Sequence, residues 1–285
     1  MSHIAYLGTG LLGSGFVEAA ARRGDSITVW NRTESKARAL ERFSVKVAKT
    51  PADAVRGASR VHLVLKDDAV VDEVIAALRP GLDKKAIIVD HTTTQPALTA
   101  ARSLELNAEG VRYIHCPVFI GPAAARKGKG TILASGPRAL FDAVHDDLSK
   151  MAERVEYFGE RPDLAAVFKL CGNAFIIGIA GLVADVFTVA QGAEVPPSDA
   201  LHILEFFNPA GVISGRGKNM LSGNFDPSFE LAMARKDVRL MIETAAGQPL
   251  AVLPAVAARM DTLIEDGHGA EDLAVLGKTV AEGHR

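Results

Sequence analysis

The stretch HIAYLGTGLLG, residues 3–13, organises everything that follows it. An apolar run of strand character leads directly into a Gly-x-Gly-x-x-Gly turn, and a helical pattern starts inside that turn. Gly8 suits the tight turn, Gly10 lets a pyrophosphate approach the backbone, and Gly13 allows the helix to pack closely on the strand. Leu11 and Leu12 complete the motif. Three glycines alone would describe many turns. A strand before them and a helix after them specify a dinucleotide site.

Working outward, β-rich runs alternate with helical patterns. The runs are HIAYLG, SITVW, RVHLVL, KAIIVD and VRYIHC. The patterns cover residues 11–23, 34–42, 67–78 and 96–109, and Thr50-Pro51 reads as an N-cap with a first-turn proline. Such alternation, with nearly continuous apolar strands, predicts a doubly wound parallel sheet of Rossmann type. KGTILAS and RVEYFG are expected to extend that sheet. After Pro162-Asp163 the strands stop. A helix over residues 163–191 is predicted, roughly 40 Å long at the usual rise, followed by helices over 198–207, 211–220, 229–246, 249–266 and 271–282. The expected division is a nucleotide-binding domain, residues 1–162, and an all-α domain, residues 163–285, with the long helix joining them.

The second strand ends in TVWNRT. A site selective for NAD would place a carboxylate here for the ribose 2′-hydroxyl. Asn31, Arg32 and Thr33 stand there instead. A guanidinium can grip a 2′-phosphate and a threonine can donate to it, so NADP is the expected cofactor.

Bulk properties narrow the partners. A net charge of −2 without a long one-sign block disfavours nucleic acid and acidic membrane surfaces. Cys116 and Cys171 match neither a metal spacing nor a disulfide framework, which suggests a reducing cytoplasm. His91, His115 and Cys116 lie near strand ends without a third-ligand spacing, so no metal is expected. The amino-terminal run reads as a strand rather than a leader. The most apolar segment, Leu170 to Ala184, is expected to be a buried helix rather than a membrane span. Its small residues, Gly178, Ala180, Gly181 and Ala184, would let other helices approach closely.

FKLCGN, residues 168–173, opens that apolar segment with a lysine and an asparagine four residues apart. On a helix they are separated by about 40°, whereas Asp185 is about 160° from Lys169. An ammonium among apolar neighbours near a helix start has its charge disfavoured by burial and by the dipole. It would suit general-acid work on an oxygen that becomes anionic as a hydride arrives. The plainer alternative is a snorkelling lysine beside an incidental asparagine.

With these residues in view, the chain resembles the β-hydroxyacid dehydrogenase family, which includes 3-hydroxyisobutyrate dehydrogenases and glyoxylate/succinic semialdehyde reductases and, more distantly, 6-phosphogluconate dehydrogenase. The resemblance spans nearly the whole chain: GTGLLG, VDHTTTQP at 89–96, CPVFIGPAAARKGKGTILASG at 116–136, FKLCGN, and FELAMARKD at 229–237. It implies that Lys169 is the catalytic lysine, that Asn173 helps hold the substrate, and that Thr93 lies near the nicotinamide. It further implies that Lys236 reaches toward the cofactor, that Leu65 and Lys66 pass the nicotinamide ribose, and that the assembly is a homodimer or homotetramer.

One segment departs from the family. Its substrate loop usually reads Pro-Val-Ser-Gly-Gly, but here Phe119, Ile120 and Gly121 follow Pro117-Val118. Phe119 has no hydroxyl for a substrate carboxylate. Either the pocket takes a more apolar substrate, or backbone N–H groups still bind a carboxylate and the ring only reshapes the wall. The expected activity is NADP-dependent reduction of a small carbonyl compound (an aldehyde, semialdehyde or oxo acid). Imine reduction is the enzymatic rival, although the imine reductases of this architecture commonly carry Asp or Tyr where Lys169 stands. A dinucleotide-binding scaffold without turnover is the rival from another class.

Overall fold

A computed structural model describes residues 3–283. Six parallel strands form one sheet in the order β3-β2-β1-β4-β5-β6: β1 His3–Leu7, β2 Ser26–Trp30, β3 Lys46–Val47, β4 Arg60–Leu63, β5 Ile87–Asp90 and β6 Arg112–His115. Helices α1 Leu11–Arg22, α2 Glu34–Arg38, α3 Pro51–Val55, α4 Asp68–Leu78 and α5 Pro96–Ala108 connect them. The strand order reverses at β1, which lies between β2 and β4, and ligands bind beside such reversals at the carboxyl edge.

Near-continuous apolar strands bury both faces, as in other covered parallel sheets. On one face Tyr6, Val29 and Val89 meet Phe16, Val17 and Ala20 of α1. On the other, Leu7, Leu63 and Ile88 meet Val71, Val74, Ile75 and Leu78 of α4. Thr50 does cap α3, accepting from the Asp53 N–H, with Pro51 in the first turn.

The next strands correct one expectation. Rather than extending the large sheet, β7 Val118–Phe119, β8 Thr131–Ala134 and β9 Arg154–Tyr157 form a second, three-stranded sheet. Here β7 pairs antiparallel with β8, and β8 pairs parallel with β9. Between them lie α6 Pro122–Ala125 and α7 Arg138–Leu148.

Helix α8, Leu164–Gly192, runs without interruption for 29 residues. Ser135 fixes its start: the buried hydroxyl donates to the Pro162 carbonyl and accepts the Ala165 N–H, each at 2.9 Å. By contact density the chain forms two compact units, residues 1–173 and 174–285.

The second unit holds the rest of α8 with α9 Pro197–Ala200, α10 Pro209–Ser222, α11 Leu231–Thr244, α12 Leu253–Glu265 and α13 Lys278–Glu282. The expected helix over 198–207 is a short α9 followed by a 3-10 turn at Leu201–Glu205. Leu231, Val238, Leu253, Met260 and Leu263 form the core. Asp185 serves this unit rather than Lys169: it accepts the N–H groups of Ala251, Val252 and Leu253 at 2.6–2.9 Å. Burial pushes its pKa up, but these three donors outweigh it and hold the carboxyl below its usual range. Gly181 and Gly192 permit close contact: an added Cβ would lie 2.8 Å from a Val252 methyl and 1.9 Å from the Thr244 carbonyl oxygen.

The predicted burial of α8 is not what the structure shows. Phe175, Ile176, Ile177 and Ile179 are exposed, Ile177 by 70%. By length and composition the helix could also cross a bilayer, contrary to the shorter segment read from the sequence. Apolar periodicity marks a surface that avoids water without saying which body covers it, and the single chain leaves this one uncovered. Phe206 is likewise 81% exposed.

Candidate functional site

At the carboxyl edge of β1, β2 and β4 lies a cleft of about 420 Å³, lined by Gly8, Gly10, Asn31, Arg32, Thr33, Leu65 and Lys66 among others. Gly8 has φ +100°, and an added Cβ would lie 2.1 Å from the Val64 carbonyl oxygen. At Gly13 the Cβ would lie 2.0 Å from the Gly8 carbonyl oxygen. Turn and helix therefore touch backbone to backbone, as the motif requires. No side chain caps α1, so its first-turn N–H groups can hold phosphate oxygens. Leu11 is exposed, whereas Leu12 packs against the core.

Asn31 acts first on the loop itself. Its Oδ1 accepts the Thr9 N–H at 2.9 Å, and its Nδ2 donates to the Thr33 carbonyl at 3.0 Å. Arg32 meets Glu73 of α4 at 2.5 Å, with both side chains largely exposed. Such pairs contribute little, so a doubly charged phosphate can compete for the guanidinium. Lys36 of α2 lines the same cleft and was missed in the sequence. Its only signal is its place four residues after Arg32. Lys66 is 85% exposed beside Asp67. The Leu65 N–H donates to Thr92 Oγ1 at 3.1 Å, which ties the loop after β4 to the loop after β5. The neighbouring Thr93 is exposed.

Beneath these loops lies a buried polar cluster around His62, His91 and His115, of which the sequence singles out only His91 and His115. His91 Nδ1 lies 2.7 Å from the Cys116 carbonyl, so it must donate, and the His91 Nε2 then accepts from His62 Nδ1 at 2.9 Å. His115 Nε2 donates to the Thr92 carbonyl, and Asp90 accepts from Tyr113 Oη and the Thr92 N–H. Among the described residues no grouping of three or more His, Cys, Asp or Glu could hold a metal ion. Burial lowers the pKa of all three imidazoles, that of His91 to about 4.

Lys169 lies on the second turn of α8 and is 9% exposed. Its Nζ donates to Asn173 Oδ1 at 3.0 Å and stands 4.2 Å from the centroid of the Phe119 ring. Burial lowers its pKa. Ile120 packs against the core, and Gly121 precedes α6 as its N-cap. The structure thus brings Lys169, Asn173 and Phe119 together in the first unit. Lys236 belongs to the second unit, on α11, where it pairs with Asp237 at 2.9 Å.

Two family models match the chain: the NAD-binding domain of 6-phosphogluconate dehydrogenase over residues 3–159, and the NAD-binding domain of NADP-dependent 3-hydroxyisobutyrate dehydrogenase over residues 164–279. An uncharacterized oxidoreductase from Shewanella frigidimarina is 26% identical over 253 residues, covering 86% of each chain. The human cytokine-like nuclear factor N-PAC is 28% identical over 247 residues, and the match spans 84% of this chain but 44% of that protein. Among solved structures, an imine reductase from Pseudomonas sp. superposes with a TM-score of 0.87 at 20% identity, covering 97% of this chain and 98% of the other. A reductive aminase from Aspergillus terreus, in complex with NADPH and ethyl levulinate, gives 0.86 at 20% identity with the same coverage. At that identity the likeness is one of fold. The expected family and cofactor agree with the matched domains: the chain belongs to the NADP-binding dehydrogenases of the 6-phosphogluconate and 3-hydroxyisobutyrate dehydrogenase family.

Proposed function

We propose that the protein reduces a small carbonyl compound with NADPH, with Lys169 as general acid and Asn173 as the residue that orients it. The observation that carries this reading is a buried ammonium held by an amide one helical turn away, in a chain with a dinucleotide cleft. Bound NADPH supplies a hydride to the carbonyl carbon. As charge develops on the oxygen, an N–H of Lys169 stabilises it and then delivers the proton that completes the alcohol. Burial serves both steps: it strengthens the electrostatic contact and makes the ammonium a better acid. Thr93, Leu65, Lys66 and Lys236 are assigned to the cofactor by the family pattern. Arg32, Thr33 and Lys36 are assigned to its 2′-phosphate.

Imine reduction is the second reading. Phe119 favours it by removing the hydroxyl that the family pattern supplies for a carboxylate. Lys169 itself favours carbonyls.

An NADPH-oxidation screen across small aldehydes, 2-oxo acids, ketones and cyclic imines tests the proposal. The expected result is carbonyl turnover with a clear preference for NADPH over NADH, and weak activity on glyoxylate. Turnover confined to imines would select the second reading, and robust turnover of micromolar glyoxylate would overturn the substrate assignment.

The uncovered face of α8 supports a homodimer or homotetramer in which a second copy buries it. Sedimentation should then give a dimer or tetramer, and Ile177→Glu should shift it toward monomer. A wild-type monomer at micromolar concentration would exclude this assembly. We assign the protein to a reducing, cytoplasmic compartment on the strength of its two free cysteines. A small-molecule substrate, rather than nucleic acid or a membrane, fits the net charge of −2.

A further inference from the structure

Glycine inside a helix weakens it and calls for a reason. At Gly172 the reason is the Phe119 ring: a Cβ built there would lie 2.2 Å from Cζ and 2.8 Å from Cε1. The ring enters from β7, whose register pairs Phe119 with Thr131. Its tip fills the gap that Gly172 leaves in α8, and its face lies under the Lys169 ammonium.

We propose that Phe119, seated in the notch at Gly172, is both the positioning residue for Lys169 and the specificity residue that turns the pocket toward substrates without a carboxylate. An ammonium has three N–H donors. Asn173 Oδ1 takes one, and the electron-rich ring face holds a second. One donor remains for the reacting atom. The ring offers no hydrogen bond to a carboxylate, and its face repels an anion. A charged substrate arm laid beside Phe119 would lose water without a replacement partner. An uncharged alkyl or aryl flank gains by contact there. The preferred substrate class is therefore an aldehyde or ketone with an apolar, uncharged flank. This inference deepens the carbonyl-reductase reading and rests on it.

The test compares kcat and KM for hexanal and glyoxylate at saturating NADPH, with the wild type, Phe119→Ser, Phe119→Leu, Phe119→Tyr, Gly172→Ala and the double variant that combines Phe119→Leu with Gly172→Ala. NADPH fluorescence titration confirms that each variant is folded. The wild type should favour hexanal in kcat/KM. Phe119→Ser should shift that ratio at least tenfold toward glyoxylate, mainly through KM. Phe119→Leu keeps the apolar wall but loses the ring face, so its kcat for hexanal should fall about tenfold with KM nearly unchanged. Phe119→Tyr adds a hydroxyl at the ring tip, where Gly172 leaves no room, so it too should displace the ring and lower kcat for hexanal. Gly172→Ala displaces the ring and should resemble Phe119→Leu, and in the double variant, where the ring is already gone, it should cost much less than alone. Ratios unchanged within twofold, or full additivity of the two substitutions, would overturn the inference. Lys169→Ala separates this from the parent reading. If it keeps wild-type turnover, the general-acid assignment fails. If it is inactive while the Phe119 ratios stay flat, only the present inference fails.

Discussion

Lys169→Ala is expected to lower kcat by about 10²–10⁴-fold while NADPH binds almost as tightly as before. The split follows from position. The cofactor's phosphates are assigned to the cleft at the carboxyl edge of β1, β2 and β4, whereas Lys169 stands on α8 with Asn173 and Phe119 as its contacts. Removing the ammonium takes away a donor needed most when the carbonyl oxygen becomes anionic, so the loss falls on turnover. Lost NADPH affinity of similar size would show that the lysine serves the cofactor. Unchanged kcat would remove it from the chemistry.

Stability should fall steeply in mild acid, before most carboxylates titrate. Burial keeps His62, His91 and His115 neutral in the folded chain, each with its pKa lowered from 6.5. Unfolded, they take up protons at about 6.5. Through the window from about 6.5 down to about 4 the unfolded chain binds more protons, so the stabilisation is complete above that window and is lost as pH drops through it. For His91 the gap between 6.5 and about 4 corresponds to about 3 kcal/mol. That is a large share of the ~5–15 kcal/mol that holds a typical domain folded. Asp272 contributes a separate loss at lower pH. Burial raises its pKa, but Arg216, Ser228 and the Ala274 N–H outweigh burial and hold it well below 3.8. Urea midpoints measured at pH 7, 6, 5 and 4.5 should decline throughout. A flat profile over that range would mean the imidazoles are not held neutral.

How legible all this was in the sequence depended on the range of the interaction. β1, β2, β4, β5 and β6 were readable because a strand buried on both faces is a continuous apolar run. β3 and β7 were missed because two residues, Lys46–Val47 and Val118–Phe119, carry no periodicity. The Lys169–Asn173 pair was visible because helical spacing is local. The contact of Phe119 with Gly172 was not, since 53 positions of chain separate them and only tertiary packing unites them. Lys36 escaped for a similar reason: its place in the cleft depends on where α2 turns after β2. The exposure of α8 was misread because apolar patterning gives the same signal whichever molecule covers it.

The compact fixing of Lys169 has an evolutionary corollary. Its amide partner is one turn along the same helix, and its aromatic support comes from a neighbouring strand. On the proposed reading, the aim of the ammonium is thus encoded by a handful of side chains near one helix start. Mutations elsewhere can accumulate without disturbing that aim, so, if Lys169 is the acid proposed above, descendants could diverge in substrate while inheriting it.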